Sequence, residues 1–298
     1  VLFSVVTPAF ASDSGDGGSI TITSDSGNIS ISDRLESLSR SLASSRSSPA
    51  ASGNSGDGGD ITLFPSSGDI VTNDTIVTAS LSESSSTEGV ASTGNSGDGG
   101  NIVIASDSGN ITTNNSLFNP IIEGIETINY IASSSISSAK SGDPLSETPA
   151  GPSALAGNSG NGGSITLSSV SGDIAVNIDV LDSSSISDAT ADFAASGDAQ
   201  NGGAISISST LGDIQASADV RSFSLSTSGI AGQAGDIALL TDAGSIIGDQ
   251  NLLLAFSVAR TGDVTRGGGD IFLDAGTAIS GLEALTLASN GPSGNVTI

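Results

Sequence analysis

Residues 95–113 read NSGDGGNIVIASDSGNITT: a glycine run, a short apolar alternation, a Ser-Asp-Ser-Gly turn, and a second apolar segment opening at Ile111, nine places after Ile102. Ile102 and Ile104 fall on one face of an extended segment and Val103 on the other, the period of two that a β-strand imposes. The phrase returns as SGDGGSITI from Ser14, NSGDGGDITL from Asn54 and NSGNGGSITL from Asn158. Looser copies follow as QNGGAISI from Gln200, QAGDIAL from Gln233, GGGDIFL from Gly267 and SGNVTI from Ser293. Self-similarity at this period is the signature of a solenoid, in which each repeat is one coil that buries its apolar face only by stacking on the next.

The anchors are Ile20, Ile61, Ile102, Ile165, Ile205, Ile237, Ile271 and Val296, separated by 41, 41, 63, 40, 32, 34 and 25 residues. Nine residues after each of the first six comes another apolar residue, from Ile29 and Ile70 to Ile214 and Ile246. A constant first interval with variable length afterwards predicts two fixed strands per coil, with the variation gathered at one corner. The Gly-Asn and Gly-Asp pairs before the second strand, such as Gly27-Asn28 and Gly68-Asp69, are expected to turn that corner in left-handed backbone conformations.

A third alternation (Val77, Ala79 and Leu81; Val176, Ile178 and Val180; Phe256 and Val258; Leu285 and Leu287) predicts a third strand, its apolar residues pointing inward. In the first coil Leu35, Leu38 and Leu42 also fit helical spacing, and a strand is the reading consistent with the other copies. The expected fold is therefore all-β, a right-handed parallel β-helix of about seven three-stranded coils of 25–63 residues. Its domains are an apolar segment at 1–11 and one solenoid at 12–298, with a long loop insertion at about 112–157.

Composition narrows function mostly by exclusion. The chain carries 32 acidic and 7 basic residues, a net charge of −25, which repels nucleic acid and anionic lipid. It has no Cys, Met, His or Trp, which removes disulfides, Cys/His metal sites and oxidation-prone side chains, as suits an exposed, oxidising location. Without His or Cys, and with few aromatic and basic residues, it lacks the usual means of acid–base or nucleophilic catalysis and of gripping an anionic sugar; no enzyme activity is expected. No apolar run reaches the length of a membrane-spanning helix. Residues 1–11 (VLFSVVTPAFA) read either as the end of a signal peptide cleaved before Ser12 or as a strand, with Val1, Phe3 and Val5 alternating, that packs on the solenoid.

The NSGDGG-x-I-x-I phrase followed by SGNI or SGDI, covering nearly the whole chain from Ser12, resembles the exoproteins of bacterial two-partner secretion. These are the filamentous haemagglutinin-like adhesins, including large cyanobacterial surface proteins of this style. The resemblance implies secretion to the cell surface and work in attachment, biofilm or extracellular fibres; the secretion-directing domain of that family has no match here.

Several residues are candidates for specific roles. Asp16, Asp57, Asp60 and Asp98 could offer oxygen ligands to Ca2+, the one cofactor considered; the alternative is a corner ladder set by turn chemistry. The ends of the chain, Val1, Phe3 and Val5 at one and Val296 and Ile298 at the other, are expected to mediate head-to-tail self-assembly. Tyr130 and Lys140, each the only one of its kind, mark the long insertion as a place for contacts with a glycan, a surface or a neighbouring filament. Arg34, Arg40 and Arg46 could pair with acids of another copy. Thr21, Thr62 and Thr166 share one repeat position, an ice-binding signal that breaks at Val103, Ser206, Ala238 and Phe272.

Overall fold

The computed structural model describes residues 8–45, 49–87, 89–114, 130–141, 153–191, 193–259 and 265–298. Every pairing between its strands is parallel, and no helix occurs among the described residues. The chain is a parallel β-helix whose coils stack in register: Ile20, Ile61, Ile102, Ile165, Ile205, Ile237, Ile271 and Val296 form one unbroken ladder of an eight-stranded sheet. The outward Thr21–Thr62–Val103–Thr166–Ser206–Ala238–Phe272 row lies beside it, as irregular as its sequence.

The second strands, Ile29–Ile31, Ile70–Thr72, Ile111–Asn114, Ile174–Asn177 and Ile214–Ala216, stack in the same way. The third strands are long, 11 residues in Leu35–Ser45 and Ile76–Ser86 and 12 in Tyr130–Ser141. Residues 35–42 are thus strand, not helix, because Leu35 to Ser45 must pair residue for residue with Ile76 to Ser86. In Ile246–Ala259 and Ile279–Ala288 the second and third strands run together, so both kinds join into one twelve-stranded sheet. A short fourth strand, absent from the three-strand expectation, completes the earlier coils: Ala9–Phe10, Ala50–Ala51, Ala91–Ser92, Ser153–Ala156 and Phe193–Ser196 form a five-stranded sheet. The first of these places the end of the 1–11 segment in the ladder, with Ala9 N–H donating to Pro49 O at 3.1 Å; Val1, Phe3 and Val5 lie outside the described residues.

The 112–157 stretch is corrected from a loop to a coil. It contains the third strand Tyr130–Ser141, paired along its length with Ile76–Ser86 and Val180–Thr190, and the fourth strand Ser153–Ala156. The added sequence lies both before Tyr130 and after Ser141, so it is divided by the long strand and not gathered in one stretch. Backbone pairing explains why: a third strand omitted from one coil would leave both neighbours' edges unpaired.

The corner glycines are also corrected. Among the described glycines only Gly267 and Gly281 have positive φ. Gly109 is glycine because a Cβ there would stand 2.7 Å from Asp69 N of the coil below. The turn itself is held by a hydroxyl: Ser106 Oγ accepts from Gly109 N–H and donates to Gly68 O, each at 2.9 Å. Ser169, Ser209 and Thr241 repeat the device.

Each coil encloses two unlike interiors. The first and second strands and the start of the third bury a continuous aliphatic stack, including Ile61, Leu63, Ile70, Ile76, Ile102 and Ile104. Further along, the inward side chains of the third strand are serines: Ser37, Ser39 and Ser41; Ser133, Ser135 and Ser137; Ser183, Ser185 and Ser187, all buried. Their hydroxyls donate across the interior to the glycine run, Ser133 to Gly100 O at 2.5 Å, Ser135 to Gly97 O at 2.6 Å and Ser137 to Gly94 O at 3.1 Å. The run lies so close that a Cβ on Gly99 would stand 2.9 Å from Ser133 Oγ. No Leu fits there. The expected phase of the third strand is therefore reversed: Leu81, Phe256, Val258, Leu285 and Leu287 face outward, with serine or alanine or threonine facing in beside them.

Candidate functional site

The glycine run carries the most distinctive surface of the molecule. A shallow groove of about 540 Å³ crosses the first five coils, floored by glycines such as Gly58, Gly59, Gly99 and Gly100 and walled by Asp16, Asp57, Asp60, Asp98, Asn101 and Asn161. Glycine lets the run lie flat; the Asp and Asn residues follow from the stacking. The Oδ1 atom of each accepts the backbone N–H of its counterpart one coil on: Asp57 N–H to Asp16 at 3.0 Å, Asp98 N–H to Asp57 at 2.8 Å and Asn161 N–H to Asp98 at 2.7 Å. Parallel ladders run Asp13–Asn54–Asn95–Asn158–Asp198 and Asn28–Asp69–Asn110–Asp173–Asp213, and Asp60 accepts from Asn101. Stretches outside regular strands thus gain side-chain acceptors that hold coils in register, a role for which an Asx oxygen has the reach.

The four acids proposed for Ca2+ all line this groove. Asp16, Asp57 and Asp98 stack in one column and Asp60 in the next, where Asn101 Nδ2 donates to it at 3.1 Å. Among the described residues no three acids converge as a group able to hold a metal ion. The ladder accounts for these residues as acceptors for backbone amides.

Tyr130 and Lys140 sit at opposite ends of one strand, in register with Val180 and with Ser85 and Thr190, so the structure places them on the regular rod and not on a loop. Lys140 is exposed. Val296 and Ile298 are exposed at the open face of the last coil. Two arginines find partners within the chain: Arg40 Nη2 meets Glu83 Oε2 of the next coil at 2.8 Å, and Arg34 pairs with Glu36. Arg46 lies outside the described residues.

Two features escaped the sequence reading. One is the outward apolar row of the third strands, Leu81–Ile136–Ile186–Leu225–Val258. The other is Asp182, on the same outer face, whose Oδ1 is shielded from water and has no hydrogen-bond partner. Burial pushes its carboxyl up to about 7, while the Arg221 guanidinium and a hydrogen bond from Ser184 pull the other way. Arg221 is itself engaged by Asp219 at 2.7 Å. The signal for the row was present in the alternation of serine with Leu, Ile or Phe; for Asp182 there was none.

No protein family, curated protein or solved structure matches this chain. No described helix is long and apolar enough to cross a membrane.

Proposed function

We propose that this chain is a secreted structural rod, working at the cell surface in attachment or matrix building, whose coils continue head to tail from one copy to the next. The observation that carries the reading is a difference between equivalent glycines. In the second coil, a Cβ on Gly56 would stand 2.7 Å from Asp16 N, and one on Gly59 2.5 Å from Ser37 Oγ and from Gly18 O. In the first coil, Gly15 and Gly18 occupy the same positions, and a Cβ on either meets nothing among the described residues within 4 Å. Their lack of a side chain is explained by a coil stacked beneath them. The half-buried Ile20, Ile22, Ile31 and Leu35 at that end, and Ile279, Leu282 and Ala284 at the other, complement this by offering core side chains to a neighbouring coil.

The same glycines serve a second reading, in which further coils of one long adhesin shaft cover the ends. Electron microscopy of the isolated chain separates the two. Head-to-tail stacking predicts filaments, and predicts that Gly18→Val abolishes them while circular dichroism still shows a folded chain. Dispersed particles at high concentration favour the shaft.

A further inference from the structure

The chain has no Cys, Met or Trp to oxidise, and its spontaneous chemistry is concentrated where glycine follows Asn or Asp: Asn-Gly at 161–162, 201–202 and 290–291, and Asp-Gly at 16–17, 57–58 and 98–99. Glycine has no side chain to keep its nitrogen away from the Cγ atom of the residue before it. We propose that Asn290 is a site of spontaneous covalent modification, where the Gly291 nitrogen closes a succinimide that water opens to aspartate or isoaspartate, and that the Asx ladder withholds the same reaction from Asn161 and Asn201.

The step balances with water as the one co-reactant. Gly291 N–H gives up its proton, the nitrogen bonds to Asn290 Cγ, and the side-chain amide leaves as ammonia. Water then adds to either carbonyl of the ring. Opening at one carbonyl restores the ordinary backbone as aspartate; opening at the other leads the backbone through the side chain and adds a methylene to it.

In the ladder the atoms that this step needs are engaged. Asn161 Oδ1 accepts the Asn201 N–H at 3.2 Å, and Asn161 Nδ2 donates to Asp98 Oδ1 at 3.2 Å. The proton that would have to leave sits on Gly162, which is buried and donates to Asn201 O at 2.9 Å. One coil on, Asn201 Oδ1 accepts from Gln233 N–H and Gly202 N–H donates to Gln233 O, each at 2.9 Å. The Asp-Gly dipeptides stack in the same column, with Gly17, Gly58 and Gly99 donating to Asp57 O, Asp98 O and Asn161 O. The architecture itself demands these dipeptides: a Cβ on Gly162 would stand 2.9 Å from Ser183 Oγ, and one on Gly202 2.8 Å from Ser222 Oγ.

Asn290 stands apart from the column. It is exposed and lies between the strands Ile279–Ala288 and Val296–Thr297, where its N–H donates to Thr265 Oγ1 at 3.3 Å. Gly291 is half-buried, unlike Gly162 and Gly202. No residue from 289 to 295 belongs to a strand, so a lengthened backbone there disturbs no rung. At Asn161 the added methylene would push the glycine run out of register with both neighbouring coils.

Peptide mapping by mass spectrometry of the folded chain, held at mildly alkaline pH, tests this. Asn290 should convert at least about tenfold faster than Asn161 or Asn201, because several hydrogen bonds have to open before the ring closes in the ladder. In urea the three asparagines should convert at similar rates, since the dipeptide alone then decides. Equal rates in the folded chain overturn the protection, and an Asn290 that converts only in urea overturns the site. Asp98→Ala removes the acceptor of both Asn161 N–H and Asn161 Nδ2. With circular dichroism showing the variant folded, conversion at Asn161 should rise and that at Asn201 should not. An unchanged Asn161 in the folded variant overturns the ladder as the cause.

Discussion

Each coil holds two interiors, and they stay dry by opposite means. On the side of the first and second strands, Ile61, Leu63, Ile70 and Ile76 remove large aliphatic side chains from water, and stability there follows buried apolar area. On the side of the third strand, Ser135 lies against Gly97, with nothing larger than a hydroxyl between two backbones. Little apolar area is gained there, and the layer is sound only because its polar groups meet: Ser96 and Ser135 at 2.8 Å, Ser159 and Ser185 at 2.8 Å, Ser55 and Ser80 at 2.8 Å. The comparison teaches that glycine content, which argues against a core on composition alone, is here the condition for a second core that depends on close approach.

The most severe way to break the comparison is to put volume into the thin side. In Gly100→Val, the new Cβ would stand 2.6 Å from the Gly59 carbonyl carbon and 2.8 Å from Gly58 O, both backbone atoms of the preceding coil with no freedom to move aside. The expected loss is more than about 5 kcal/mol, read as failure to accumulate folded protein or as collapse of the urea midpoint. An interior glycine that accepts valine without change would mean that the coils are not stacked as described.

Truncation tests the two sides at equal gentleness. Ile104→Ala, in the aliphatic stack, should cost about 2–5 kcal/mol through lost burial and a residual cavity. Ser135→Ala removes one oxygen atom, yet leaves Gly97 O and the Ser96 hydroxyl short of a buried partner, at about 1–3 kcal/mol. Urea denaturation of both variants gives the ratio. A neutral Ser135→Ala would show that water or a backbone shift replaces the hydroxyl.

These two substitutions also mark where sequence reasoning held and where it failed. The ladder through Ile104 was legible because G-x-I-x-I recurs with a second apolar residue at a fixed interval, and only parallel stacking keeps such an interval while coil length changes from 41 to 25. The phase of the third strand was not. Alternation at Ser80-Leu81-Ser82 gives a period of two but does not say which face is inside, and hydrophobicity alone turns Leu81 inward. What decides is the chain opposite: a run such as Gly97 to Gly100 leaves room for a hydroxyl and no more, and that fact lies about forty residues away in sequence. The Asp and Asn columns were legible as positions but not as roles. An acceptor for the next coil's amide and a metal ligand use the same atoms, and only Asp57 N–H on Asp16 Oδ1 shows which contact forms.

Asp182 sharpens the comparison from the outer surface of the same sheet, where a shielded polar atom lacks the partner that Ser183, Ser185 and Ser187 on the other face of its strand have found. Its carboxyl, ordinarily near 3.8, is raised to about 7 by burial. In the unfolded chain it gives up its proton near the ordinary value, whereas in the folded chain it keeps it until about 7. Between these two values the folded state binds more protons, so raising pH through the window lowers stability, and above it the loss from this group is complete. Asp182→Asn holds a neutral amide of the same shape at every pH. The variant should match the parent at acid pH and melt at a higher temperature above neutrality, with a flatter slope between. Thermal melts of both proteins across that range decide the matter: parallel curves would place Asp182 in contact with water, while convergence at low pH identifies it as the carboxyl whose burial the fold opposes.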